Sequence, residues 1–268
     1  MKVAPLLAAA LALGGCVTPS PSSRNHSMPD TFILVHGAFA DAHAFDAIAP
    51  LLKAQGHRVV AADLPGHGSD ATSAKSITLE SYVDVVMKWV DAETAPVILV
   101  GHSMAGMVVS QVAERAPSKV KQVILVAAYL PRSGQSLEEL AKTDTESLVG
   151  PNMVFAPDFS TVTIRKEHLV ESLAADVPAA VQRFIVDGHK PEPLAPFQGK
   201  ATLTNARFGS VPRSYIFTTK DRAVGPTLQQ QMVAAWPNTA TATLDTSHLP
   251  FLAQPDAFVK ALLTLSRR

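Results

Sequence analysis

A single cysteine in the whole chain, Cys16, excludes an internal disulfide and a thiolate zinc site. An excess of charge of one sign is equally missing: 23 Lys and Arg balance 23 Asp and Glu, and no basic run occurs. Nucleic acid is therefore not expected as a partner, because binding phosphate needs a cationic face. No apolar run reaches the roughly 20 residues that cross a bilayer as a helix. Charged residues make up 17% of the 268 and hydrophobic ones 47%, which is too apolar for a disordered chain. What is left is a globular fold, one large domain or two small ones, long enough to bury a sizeable core.

The N-terminus reads MKVAPLLAAALALGGC. Lys2 gives a positive start, and Val3 to Leu13 is an apolar stretch too short to span a membrane. Residues 1–15 are thus expected to be an export signal. Leu13-Gly14-Gly15-Cys16 resembles a bacterial lipobox, and that resemblance implies lipidation of Cys16 with more than one acyl chain. Two or more chains hold stably where one is marginal, at about 0.8 kcal/mol per buried methylene. The alternative is an ordinary signal peptide with an incidental cysteine. Residues 16–30, rich in Pro and Ser, read as a tether. The expectation is an exported lipoprotein of the cell envelope. Val17 carries no inner-membrane retention signal, which favours an outer-membrane anchor facing the periplasm.

From Thr31 onward, short apolar runs alternate with amphipathic stretches. TFILVHG (31–37), HRVVAAD (57–63), PVILVG (96–101), KVKQVILVAA (119–128), VPRSYIFTTKD (211–221) and ATATLDT (240–246) read as strands. Helices are expected at 43–55, where Pro50 marks a kink or a restart, and at 78–93, 104–116, 226–236 and 255–266. This rhythm predicts an α/β fold over 31–268, with a doubly wound, mostly parallel sheet. Between about 130 and 208 the rhythm stops. Helices at 134–147 and 163–186 are expected there, as a cap inserted between strands. Met153, Phe155, Phe159 and Phe184 in that segment favour burial.

The informative segment is VILVGHSMAG (97–106), where a buried strand runs directly into a helix with Ser103 at the junction. Gly101 and Ala105 flank it two residues away, as in the G-x-S-x-G nucleophile elbow with its last glycine replaced. Such a turn lifts the hydroxyl above the sheet beside the free N–H groups of a helix start. A plain helix cap is the alternative for Ser103. A serine nucleophile needs a base and the base needs an orienting acid. His248, after the last strand, is the expected base, and Asp221, closing YIFTTKD, the expected acid. Asp245 is the competing acid. Backbone N–H groups of Met104 and Ala38 are the expected oxyanion donors. Phe39 either walls the pocket or covers the core, and Tyr129 and Leu249 are further candidate substrate-binding residues. The remaining histidines form no metal-binding pattern, so neither metal nor cofactor is expected.

Together, FILVHGAFADAHAFDAIAPLLKAQGHRVVAADLPGHG, VILVGHSMAG, YIFTTKD and SHLPFLAQP resemble the α/β-hydrolases, and within them the methylesterase/hydroxynitrile-lyase group and its bacterial esterase relatives. The resemblance spans roughly residues 31–258 and is loose over the cap. It implies Ser103, Asp221 and His248 as a triad, with Ala38 and Met104 as oxyanion donors. The lyases carry a lysine after the catalytic histidine and a threonine in the loop after the first strand. Here those positions hold Leu249 and Ala38, which favours ester hydrolysis through an acyl-enzyme over cyanohydrin cleavage. The aromatic and aliphatic side chains of the cap, with little charge, point to small to medium apolar esters. The alternatives are a hydroxynitrile lyase or cofactor-free oxygenase on the same triad, or a ligand-binding protein without turnover.

Overall fold

The computed structural model describes Met1 and residues 29–267. The export signal after Met1, Cys16 and all but the end of the tether lie outside the described residues. In chain order the strands are β1 (Thr31–Val35), β2 (Arg58–Ala61), β3 (Val97–His102), β4 (Val120–Val126), β5 (Met153–Phe155), β6 (Thr161–Ile164), β7 (Glu192–Pro193), β8 (Arg213–Thr218) and β9 (Ala240–Leu244). The first helices are α1 (Ala49–Ala54), α2 (Leu79–Asp91), α3 (Ala105–Arg115) and α4 (Leu137–Ala141). They are followed by α5 (Leu169–Leu173), α6 (Ala179–Gly188), α7 (Ala195–Gln198), α8 (Pro226–Ala234), α9 (Pro250–Ala253) and α10 (Pro255–Ser266).

Six strands pair in the order β2-β1-β3-β4-β8-β9, every pairing parallel. A strand covered on both faces needs apolar side chains at successive positions, which accounts for Phe32-Ile33-Leu34-Val35. Neighbouring side chains go to opposite faces. Ile33, Val35, Leu99 and Val123 pack with residues of α2, α3 and α8, whereas Phe32, Leu34, Ile98 and Ile124 pack with residues of α1, α9 and α10. The chain leaves β1 toward the β2 edge and returns to place β3 on the other side of β1. That reversal opens a crevice at the carboxyl ends of β1 and β3, where open α/β sheets hold their ligands.

Local signals set the helix starts. Thr78 caps α2 through a reciprocal pair with Ser81. The helix expected over 43–55 is divided into a 3-10 turn at Ala42–Phe45 and α1, whose first turn holds Pro50. A proline fits there because that position has no intrahelical N–H bond to lose.

The segment between β4 and β8 departs from expectation. The stretch 134–147 holds only the five-residue α4, and 163–186 opens on the end of β6 before α5 and α6. β5, β6 and β7 form a small antiparallel sheet in that order. Three of the four residues expected to be buried are exposed: Phe155 at 46%, Phe159 at 67% and Phe184 at 70%. β5 is a three-residue edge strand, and α6 contributes no fully buried side chain, so neither has a layer to hide an aromatic. Among the described residues no helix is long and apolar enough to cross a membrane.

Candidate active site

Ser103 sits between the end of β3 and the start of α3 with φ of +54°, in the left-handed region. An L-residue there costs about 1–2 kcal/mol, which the packing around the turn must hold in place. The chain fits because small residues stand at its closest approaches. A Cβ on Gly37 would lie 2.8 Å from the Ser103 Cβ, and one on Gly106 would lie 2.1 Å from the Tyr129 carbonyl oxygen. The tightest position on the helix side is therefore Gly106, which explains how Ala105 is tolerated. Phe39 and Ala127, after β1 and β4, also have positive φ, at +61° and +46°. Strained backbone thus gathers at the carboxyl ends of three adjacent strands.

His248 lies between β9 and α9, and its Nδ1 is 2.8 Å from Oδ2 of Asp221. Both are buried, and Asp221 is fully enclosed. A carboxylate so placed needs every lone pair met. Its Oδ1 accepts the N–H groups of Ala223 and Val224 at 2.8 and 2.9 Å, and its Oδ2 accepts Thr218 Oγ1 at 2.7 Å and Gln229 Nε2 at 3.2 Å. Asp245 is elsewhere: exposed, and paired with Lys220 at 2.7 Å. With Asp221 accepting at Nδ1, the imidazole turns Nε2 to the other side.

Ser103 and His248 line one pocket together with Ala38, Phe39, Met104 and Tyr129. It is a small cleft that opens to solvent. No hydrogen bond joins the Ser103 hydroxyl to His248 among the described residues, a looseness common in unliganded sites. The N–H groups of Ala38 and Met104 likewise have no acceptor among the described residues. Burial, and next the charge of Asp144, raise the Tyr129 phenol above its ordinary range, so it stays a neutral hydroxyl. Leu249, expected at the pocket, is instead packed in the core with the residues of α10. The remaining wall is apolar and comes largely from the insertion, through Leu137, Val149, Met153, Leu173 and Phe197.

The sequence profile described as the Alpha/beta hydrolase family matches residues 32–261. The chain belongs to the alpha/beta hydrolase family. Methylesterase 8 of Arabidopsis thaliana is 28% identical, over 96% of this chain and 94% of its own length. Pyrethroid hydrolase of Sphingobium wenxiniae is 29% identical, over 86% of this chain and 85% of its own. The crystal structure of a pyrethroid hydrolase from Sphingobium faniae has a TM-score of 0.78 and 26% identity, and the match covers 90% of this chain and 98% of that one.

Several polar residues of this hydrolase fold that support the site escaped sequence reasoning. His102, one of the histidines to which sequence reading assigns no role, brings Nε2 to 2.9 Å from the carbonyl oxygen of His248. Burial, and next the His248 ring, hold His102 well below the ordinary imidazole range, so a neutral ring donates this bond. Asp176, on the insertion, accepts both the N–H and the hydroxyl of Ser247, next to His248. Glu192, also on the insertion, accepts the N–H of Phe39, next to Ala38. Such partners lie 71 to 153 residues apart in sequence, and no local motif announces them.

Proposed function

We propose that the protein is a serine carboxylesterase that hydrolyses small to medium apolar esters through an acyl-enzyme. The observation that carries this reading is the buried Asp221–His248 pair, at 2.8 Å, facing the same pocket as a left-handed Ser103. Asp221 fixes the tautomer with the proton on Nδ1, which leaves Nε2 as the base. Nε2 takes the Ser103 proton as Oγ attacks the ester carbonyl. The negative oxygen is received by the N–H groups of Ala38 and Met104, which have no competing acceptor among the described residues. His248 then hands its proton to the departing alcohol, and a water molecule repeats the sequence on the acyl-enzyme. The apolar wall supports an apolar acyl or alcohol group, as do the names of the methylesterase and pyrethroid hydrolase relatives. The test is turnover of p-nitrophenyl esters of increasing chain length. Folded protein is expected to hydrolyse the short and medium members, with Ser103→Ala losing on the order of 10⁶ in kcat. Equal rates in the two proteins contradict the reading.

The same proposal places the enzyme in the bacterial cell envelope, tethered through a lipid on Cys16. It is supported by the Leu13-Gly14-Gly15-Cys16 pattern and the Pro/Ser-rich stretch that follows.

A further inference from the structure

Glu192 is a fully buried carboxylate on β7, the two-residue strand paired with β6 at the end of the insertion. Its Oε2 is 2.8 Å from the Phe39 N–H nitrogen and 2.8 Å from His67 Nε2, and its Oε1 accepts the Tyr82 hydroxyl at 3.1 Å. These partners come from three separate parts of the body: the loop after β1, the loop after β2, and α2. A carboxylate taken out of water costs several kcal/mol unless its oxygens are met. Next to it Leu194 and Phe197 dock the same segment onto the core with apolar side chains alone. Adhesion of the insertion therefore does not require the charge.

What the charge supplies is an acceptor for one strained backbone N–H. Phe39 stands at φ +61°, a conformation costly for a bulky side chain. Its N–H is held by Glu192 and by no other group among the described residues. The peptide plane that carries this N–H is joined to Ala38, whose own N–H is the oxyanion donor assigned above. A second arm steadies the same loop from the loop after β2, where Asp63 Oδ1 accepts the Ala42 N–H at 2.9 Å. It grips four residues beyond Ala38 and leaves the Phe39 turn to Glu192.

We propose that Glu192 is a positioning residue for the oxyanion hole, aiming the Ala38 N–H by anchoring the N–H of Phe39 from the insertion. His67 and Tyr82 hold the carboxylate in place. The inference rests on the esterase reading and deepens it, because it makes the insertion part of the catalytic frame as well as a pocket wall.

The experiment measures kcat and KM for p-nitrophenyl butyrate, with circular dichroism melts, on four proteins beside the wild type. Glu192→Ala removes the acceptor. The double variant Glu192→Leu with Tyr82→Phe removes it without leaving a hole or an orphan hydroxyl. Glu192→Gln keeps one acceptor oxygen, and Tyr82→Phe alone leaves the Phe39 bond untouched. A misaimed donor weakens the transition state and not the bound ester. The first two are expected to lose about 10-fold to 100-fold in kcat with KM within about twofold, less than outright loss of a donor. Glu192→Gln and Tyr82→Phe are expected to stay within about threefold of wild type. A merely structural role gives another pattern, with kcat following Tm across all four. That pattern, unchanged kcat in folded Glu192→Ala, or failure of both acceptor-free variants to fold overturns the proposal. Absence of wild-type turnover sinks the esterase reading itself, before any variant is compared.

Discussion

Asp221 and Asp245 are the two carboxylates near the C-terminal strands, and their surroundings separate them. Asp221 has five hydrogen-bond donors and no exposure, so it is held in one orientation against His248. Asp245 is exposed beside Lys220, where water screens the pair. Asp221→Asn is expected to lower kcat about 10⁴-fold by stabilising the wrong imidazole tautomer. Asp245→Asn, measured in the same assay, is expected to change it by no more than about twofold. The reverse order would assign the acid to the wrong residue. The sequence already favoured Asp221 because it closes a strand at the sheet edge that faces the site. His102 was not legible in the same way, since its partner is a backbone carbonyl 146 residues away.

At the scale of elements, the turn from β3 to α3 is the most demanding, and it was also the most legible. Strand, serine and helix are contiguous, so the spacing of small residues reports the geometry directly. The structure adds which small residue matters most. Gly106→Ala sets a Cβ against the Tyr129 carbonyl and is expected to destabilise the protein by about 1–3 kcal/mol in urea unfolding. Ala105→Gly relieves nothing and costs only about 0.5–1 kcal/mol through backbone entropy. If Gly106→Ala unfolds no more readily than Ala105→Gly, the close approach is not the constraint. The insertion was the least legible element. β5 and β6 have three and four residues, too few to show alternation, and Phe155, Phe159 and Phe184 are apolar without being core. Its carboxylates Asp176 and Glu192 act on loops that are remote in sequence, and periodicity carries no record of such pairings.

For the molecule as a whole, buried histidines set how stability depends on acidity. Burial first, and then repulsion from His67, depress His36 to about 4. Its Nδ1 bonds the Gly37 carbonyl at 2.9 Å while Nε2 accepts the Leu64 N–H at 3.0 Å, so both nitrogens are committed in the neutral ring. Between about pH 6.5 and 4 the unfolded chain binds a proton at this residue that the folded one refuses. Stability therefore rises with pH across that window, and acidification to pH 4 removes about 3 kcal/mol through His36 alone. His102 pulls in the same direction. His67 differs: burial lowers it, but the hydrogen bond and charge of Glu192 outweigh this and leave it raised. Its contribution is complete below about 6.5 and is lost as pH rises through its folded value. Urea melts at pH 6.5, 5.5 and 4.5 should show a steady fall, and flat stability would contradict it. Where the molecule resides is a separate matter: Cys16→Ser is expected to move the protein from the membrane pellet to the soluble fraction, and unchanged fractionation would defeat the lipid anchor.

The account depends on one activated hydroxyl, and covalent labelling tests it most directly. Protein treated with a fluorophosphonate and digested should yield a single modified peptide, VILVGHSMAG within its flanking residues, with the phosphonyl group on Ser103. His248→Ala should slow the labelling severely. Modification elsewhere, or a folded protein that resists the reagent altogether, would contradict the account.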